Sequence, residues 1–196
     1  EDLSDIYLKN KISDKIIFKN KLKINERKLF NNENFSIISN LPFNISSELI
    51  IKWCKVQNTY NCIDSMVLMF QKELAERIIA KKDTKKFGRL SILCNAFFSI
   101  EKKLLVSKNN FYPPPKVDAI VLNFIPHEIN KIKKNNFEKL EQITRIFFNE
   151  RRKKNKKKII TNFSISQIKK YNLEKFYNLR AENIDKDIYF ELSNIL

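Results

Sequence analysis

One glycine, Gly88, stands among 196 residues. That scarcity constrains the fold more than any other feature. Open α/β sheets normally cradle a nucleotide in a glycine-rich turn between the first strand and the first helix. No such turn can be assembled from this sequence. Yet the apolar pattern is that of an α/β sheet. The run Phe35 to Ile38 is short and bounded by turn residues, as a buried strand is. Asn40 and Pro42 then break it. Met66-Val67-Leu68-Met69-Phe70 is continuous and apolar, which suits a central strand. Lys15-Ile16-Ile17-Phe18, Lys103-Leu104-Leu105-Val106 and Ala119 to Phe124 read as further strands.

The intervening stretches carry helical periodicity. Leu49, Ile50, Trp53 and Cys54 share one face of Ser47 to Val56, with Trp53 read as core rather than as a base platform. Leu74, Ile78 and Ile79 point inward on Lys72 to Lys81. Glu73 and Arg77, four residues apart, read as a helix-surface pair. Asp5 to Lys11 and Leu90 to Phe98 also read as helices, and Asn25 to Asn34 as a polar loop or weak helix. The polar, basic connection Asn130 to Asn136 marks a boundary between a domain over 1–130 and a second over 131–196. Beyond it strand signals stop. Phe137, Leu140, Ile143 and Phe147 form one helical stripe, and two more helices follow at Ser166-Gln167-Ile168 and from Asp185 onward. Asn162 and Glu182 read as structural or capping residues.

Apolar residues make up 43% of the chain, with 16 phenylalanines, enough for a sizeable core. The net charge of +16 calls for a polyanionic partner, nucleic acid ahead of an anionic membrane. Compositional bias explains part of the lysine count but not its clustering. Seven of the eight residues from Arg151 to Lys158 are cations. Such a run is either a solvated face or a phosphate contact. Thr84 to Arg89 is a second basic loop with the same two readings. Three cysteines without metal spacing and a single histidine, His127, argue against a disulfide framework, a zinc site and a Cys–His nucleophile. Free thiols suit a reducing compartment. No apolar run reaches 18 residues, so no membrane-spanning helix is expected, and the amino end lacks a signal-peptide pattern.

The chemistry centres on Asn40-Leu41-Pro42-Phe43, at the carboxyl end of a strand, where open α/β sheets bind ligands. These residues suit transfer to an aromatic amine. The exocyclic nitrogen of adenine is a poor nucleophile because its lone pair is delocalised into the ring. Two acceptors aimed at its hydrogens would draw it towards tetrahedral geometry, and the Asn40 side-chain oxygen and the Leu41 carbonyl can supply them. Pro42 stiffens the loop and has no N–H to compete. Phe43 can stack on a flat base. Taken alone, the same residues also read as an ordinary strand-to-helix turn with Ser46 or Ser47 as N-cap.

The wider sequence resolves that ambiguity. Asn40-Leu41-Pro42-Phe43-Asn44-Ile45-Ser46-Ser47 resembles the signature of the rRNA adenine N(6)-dimethyltransferases of the KsgA type. Gln71-Lys72-Glu73-Leu74-Ala75-Glu76-Arg77, Phe87-Gly88-Arg89-Leu90-Ser91, Phe111-Tyr112-Pro113-Pro114-Pro115-Lys116-Val117-Asp118, Arg151-Arg152-Lys153 and Arg180-Ala181-Glu182 match in the same order. The likeness spans nearly the whole chain. Phe43 departs from the commoner tyrosine, keeping the ring and losing the hydroxyl.

The resemblance implies a Rossmann-like class I methyltransferase sheet followed by a small, all-helical carboxyl-terminal domain. It implies dimethylation of two adjacent adenosines in the 3′-terminal hairpin of small-subunit rRNA. The methyl donor would be S-adenosylmethionine, with no metal and no covalent intermediate. Asn40, Leu41, Pro42 and Phe43 would be catalytic. Phe111 would cover the base opposite Phe43, and Arg151, Arg152 and Lys153 would hold RNA. Asn20 and Asn40 would contact the donor, although the family has Asp at the position of Asn20. The partner would be small-subunit rRNA or a pre-30S-type particle, met by a monomer in the cytoplasm or, in a eukaryote, an organelle. Glu1-Asp2-Leu3 resembles the residues just after the family's ribose-gripping acid. With the missing glycine turn, this leads us to expect an amino-terminally incomplete chain, lacking the first strands and most of the donor pocket. Such a chain would bind RNA but not the donor. Two rivals are the antibiotic-resistance methyltransferases of large-subunit rRNA and a non-catalytic assembly or transcription factor on the same fold. The triple-proline segment and Arg180-Ala181-Glu182 fit the small-subunit enzymes better.

Overall fold

The alternation of apolar and polar residues in Phe35-Ser36-Ile37-Ile38-Ser39-Asn40 puts Phe35, Ile37 and Ser39 inward, and these six residues form a strand. The structure, a computed structural model, describes residues 6–7, 25–30 and 32–195. Its strands are β1 (Ile6–Tyr7), β2 (Phe35–Asn40), β3 (Ile63–Gln71), β4 (Phe98–Val106) and β5 (Ala119–Pro126). They form one sheet in the order β1-β2-β3-β5-β4. β2 and β3 are parallel, while β1 pairs antiparallel with β2 and β5 antiparallel with both β3 and β4. The α/β reading stands as a mixed sheet with helices and a helical carboxyl-terminal region.

Several sequence expectations change. Ile6–Tyr7 pairs as strand with Ile38 and Ser39, so the helix expected over Asp5 to Lys11 is not helical there. Ladder hydrogen bonds to β2 outweigh a weak local helical pattern. The remainder of that segment, the Lys15 to Phe18 strand and Asn20 lie outside the described residues. The helix expected over Leu90 to Phe98 runs from Arg89 to Asn95. Phe97 and Phe98 are both fully buried, and Phe98 already begins β4. The expected strand at Lys103 to Val106 is the second half of a nine-residue strand. The helix Lys72–Ile78 is shorter than its apolar pattern, and no ion pair joins Glu73 to Arg77 among the described residues. Glu76 instead pairs with Lys86.

The helices are α1 (Glu26–Leu29), α2 (Ser46–Tyr60), α3 (Lys72–Ile78), α4 (Arg89–Asn95), α5 (Phe137–Phe148), α6 (Lys156–Asn162), α7 (Ile165–Lys170) and α8 (Lys186–Ser193). The expected α5 stripe of Phe137, Leu140, Ile143 and Phe147 is buried along its whole length. It packs on α8, α4 and α2, so one apolar core runs from the sheet into the helical region. Each phenylalanine taken fully inside contributes roughly 1.5–3 kcal/mol. Trp53 is core, as read, and its indole Nε1 donates to Glu26 at 3.0 Å. Lys52 pairs with the same carboxylate at 2.6 Å, so this carboxylate, 8% exposed, has both an ion-pair and a hydrogen-bond partner. Among the described residues no helix is long and apolar enough to cross a membrane.

Candidate active site and nucleic-acid interface

β4 and β3 both run antiparallel to β5, so β2, β3 and β4 share one direction. Asn40, Gln71 and Val106 therefore end their strands at one edge, where Ala119 begins β5 in register with both Gln71 and Val106. The two loops singled out from sequence, 41–45 and 107–118, leave from that edge. Phe43 and Phe111 are both half-buried there.

The first loop is short and internally tied. The Pro42 carbonyl accepts from the Ile45 N–H at 3.2 Å, and the Phe43 carbonyl accepts from the Ser46 hydroxyl at 3.1 Å. Ser46 is the first residue of α2, and Ile45 sits at the cap without a side-chain bond, so neither serine serves as N-cap. Leu41 is anchored in the core at 2% exposure. Its carbonyl accepts no hydrogen bond among the described residues, and the half-buried Asn40 amide makes none. The loop thus spends the carbonyls of Pro42 and Phe43 on itself. Among the described residues it leaves the Asn40 side-chain oxygen and the Leu41 carbonyl unspent.

The second loop is held by Asp118. Its carboxylate accepts from the Lys108 N–H at 3.1 Å, and its carbonyl accepts from the Lys72 N–H at 2.9 Å. The sequence reading gave Asp118 no role beyond its motif. Here it pins the loop that carries Phe111 to the start of α3.

A cleft of about 400 Å³ opens beside the first turns of α2. Its lining includes Ser47 at the start of α2, Arg77, Lys86, Arg89, Phe148 and Arg151. Lys86 hydrogen-bonds Glu76 and holds its carboxyl below the usual carboxylate range. Arg89 meets Glu141 at 3.3 Å, while its buried Nε has no partner. Arg151 Nε donates to Glu182 at 2.5 Å, and its NH2 donates to the Thr84 carbonyl at 3.3 Å. Arg77 makes no ion pair among the described residues, and its place in the cleft went unseen because its sequence spacing matched a surface pair. Four cations against three carboxylates leave the cleft basic.

The run from Arg151 to Lys158 is not one uniform face. Arg151 is tied to Glu182, and Lys153 pairs with Glu150 at 2.5 Å. Lys158 is 8% exposed and donates to the Phe147 and Glu150 carbonyls where α5 ends. Burial pulls its ammonium below the ordinary lysine range. Arg152, Lys154, Lys156 and Lys157 face solvent.

The model of the ribosomal RNA adenine dimethylase family matches residues 5–196. This chain belongs to that family. Among its relatives, the ribosomal RNA small subunit methyltransferase A of Pelagibacter ubique (strain HTCC1062) is 39% identical over 196 residues, covering 98% of this chain and 73% of the relative. The protein of the same name from Borreliella burgdorferi (strain ZS7) is 38% identical over 86% of this chain, which spans 59% of that relative's length. A crystal structure of a dimethyladenosine transferase from Plasmodium falciparum superposes with a TM-score of 0.63 at 30% identity, covering 80% of this chain and 64% of that one. The 23S rRNA methyltransferase ErmE shares the fold with a TM-score of 0.58 at 17% identity, over 83% of this chain and 65% of its own. In this family member, Asn40, Leu41 and Phe43 stand at the sheet's carboxyl edge.

Proposed function

We propose that this dimethylase methylates the exocyclic amines of two neighbouring adenosines in small-subunit rRNA. One observation carries the reading. Among the described residues, Asn40 and Leu41 offer neighbouring unspent acceptors at the carboxyl edge, in a loop whose Pro42 and Phe43 carbonyls are engaged. Phe43 and Phe111 would hold the adenine ring between them. The amine would donate one hydrogen to the Asn40 oxygen and the other to the Leu41 carbonyl, localising its lone pair for attack. Pro42 keeps the loop from rearranging, so the acceptors need no reorganisation as charge develops.

The donor we assign is S-adenosylmethionine, which supplies an electrophilic methyl group. The residues present fit it at one point, the Asn40 amide, which has no hydrogen-bond partner among the described residues. Asn20, the other assigned donor contact, lies outside the described residues. Residues 1–130 would form the transferase part and residues 131–196 the RNA-holding part. RNA phosphates would then run from the first loop into the cleft with Arg77, Lys86 and Arg89, and on to the outward cations Arg152, Lys153 and Lys154. Names carried by the more similar relatives favour the small subunit, and the likeness to ErmE extends only to the fold.

The test is methyl transfer to small-subunit particles that lack the modification, by the protein carrying this chain. N6,N6-dimethyladenosine at two adjacent positions near the 3′ end is expected. Product on large-subunit rRNA would move the assignment to the resistance enzymes. RNA binding without any product would move it to an assembly factor.

A further inference from the structure

β4 lies at the edge of the sheet, and its second half is uncovered on both faces. Leu104 and Leu105 point to opposite faces, as neighbours in a strand must, yet are 57% and 49% exposed. The loop that follows adds Tyr112, fully exposed, and Val117, 42% exposed. Register ties these positions together, since Leu104 faces Val121, Leu105 faces Ile120 and Val106 faces Ala119, just after Val117. Lys102, Lys103, Lys108 and Lys116 are exposed among them. The local carboxylates are occupied: Glu101 pairs with Lys103, and Asp118 accepts the Lys108 N–H. Lys108 and Lys116 make no ion pair among the described residues.

We propose that this ridge receives the RNA strand flanking the target adenosine, with Tyr112 stacking on a neighbouring base and Lys108 and Lys116 meeting its phosphates. The inference rests on the functional reading above and extends it to a specificity-determining surface. Three features select RNA over an apolar partner. The ridge interleaves cations with exposed apolar side chains, as single-strand binding surfaces do. It continues from Phe111, which borders the candidate base site. Its one aromatic ring is held in a segment that Pro113, Pro114 and Pro115 stiffen, so little order is lost when a base stacks on it.

The test is fluorescence anisotropy of a labelled small-subunit rRNA 3′ hairpin with this chain and three variants. Tyr112→Ala should weaken binding roughly 5- to 150-fold, the cost of losing one base–aromatic stack. Tyr112→Phe should bind like the parent, because stacking needs the ring and not the hydroxyl. Lys108→Gln combined with Lys116→Gln should flatten the slope of log affinity against log salt by about 1.4, at about 0.7 per single-strand phosphate. Tyr112 touches solvent alone, so these variants fold, and unchanged circular dichroism verifies it. Parent binding with Tyr112→Ala within twofold of it overturns the ridge and leaves the functional reading standing. A loss seen with whole ribosomal particles but not with the naked hairpin also overturns it, and makes the ridge a site for ribosomal protein. Failure of the parent chain to bind the hairpin at all overturns the functional reading itself.

Discussion

Replacing Asn40 with alanine removes one of the two acceptors that the first loop leaves unspent. Loss of one such preorganised group costs about 10²–10³ in rate. Methyl transfer should therefore fall by that factor while RNA affinity stays near the parent value. A variant that keeps more than a tenth of the parental rate would take Asn40 out of the chemistry. Phe43→Ala should be comparably damaging in a single-turnover assay, and Phe43→Tyr mild. The position of this loop at a strand end was legible because its parts are local. A strand, a helix breaker and an aromatic ring follow one another within four residues. The engagement of the Phe43 carbonyl was not legible, since it depends on where Ser46 turns its hydroxyl. Arg77 was misjudged for the same reason. Spacing along a helix says which residues can pair, not which cation a loop such as 83–88 brings closer, as it brings Lys86 to Glu76.

The basic run shows the same division at the scale of an element. Sequence reads Arg151 to Lys158 as seven equivalent cations, whereas the chain turns there and sends Lys158 inward to cap α5. Lys158→Ala should leave the buried Phe147 carbonyl without this donor, along with the part-buried Glu150 carbonyl, and cost about 1–3 kcal/mol of stability, read as a lower urea midpoint. Arg152→Gln with Lys157→Gln should leave that midpoint in place and flatten the salt slope of RNA binding by roughly 1.4 to 1.8. If the outward pair changes neither affinity nor slope, the run is a solvated face and the cleft with Arg77 and Arg89 carries the phosphates. The helical stripe of α5 was fully legible, because a 3.6-residue period is a property of the segment alone. The reach of β4 back to Phe98 was not, because it depends on pairing with β5.

Across the whole molecule, the single histidine gives stability a readable pH dependence. His127 Nε2 lies 3.1 Å from the Asn95 carbonyl, close to Lys131 and Lys186. Burial, helped by those two cations, lowers its pKa below the ordinary 6.5. The unfolded chain therefore holds its proton to higher pH than the folded one does. Stability should rise with pH through the window that ends near 6.5, and the penalty should be complete once pH falls below the folded pKa. Urea midpoints between pH 5 and 7.5 should show the rise, and His127→Gln should remove it. A final consequence lies in α2. Its first residue grips the loop that carries Phe43, and Asn58, near its far end, accepts from the Phe137 N–H and donates to the Lys133 carbonyl, both at 3.1 Å. Fifteen helical residues span about 22 Å. The helix is thus a gauge bar clamped at both ends, fixing the interval between the carboxyl edge of the sheet and the root of the helical region. Adding or deleting one turn would shift that interval by about 5.4 Å. A substrate held at both places would be accepted by its dimensions as well as by its bases.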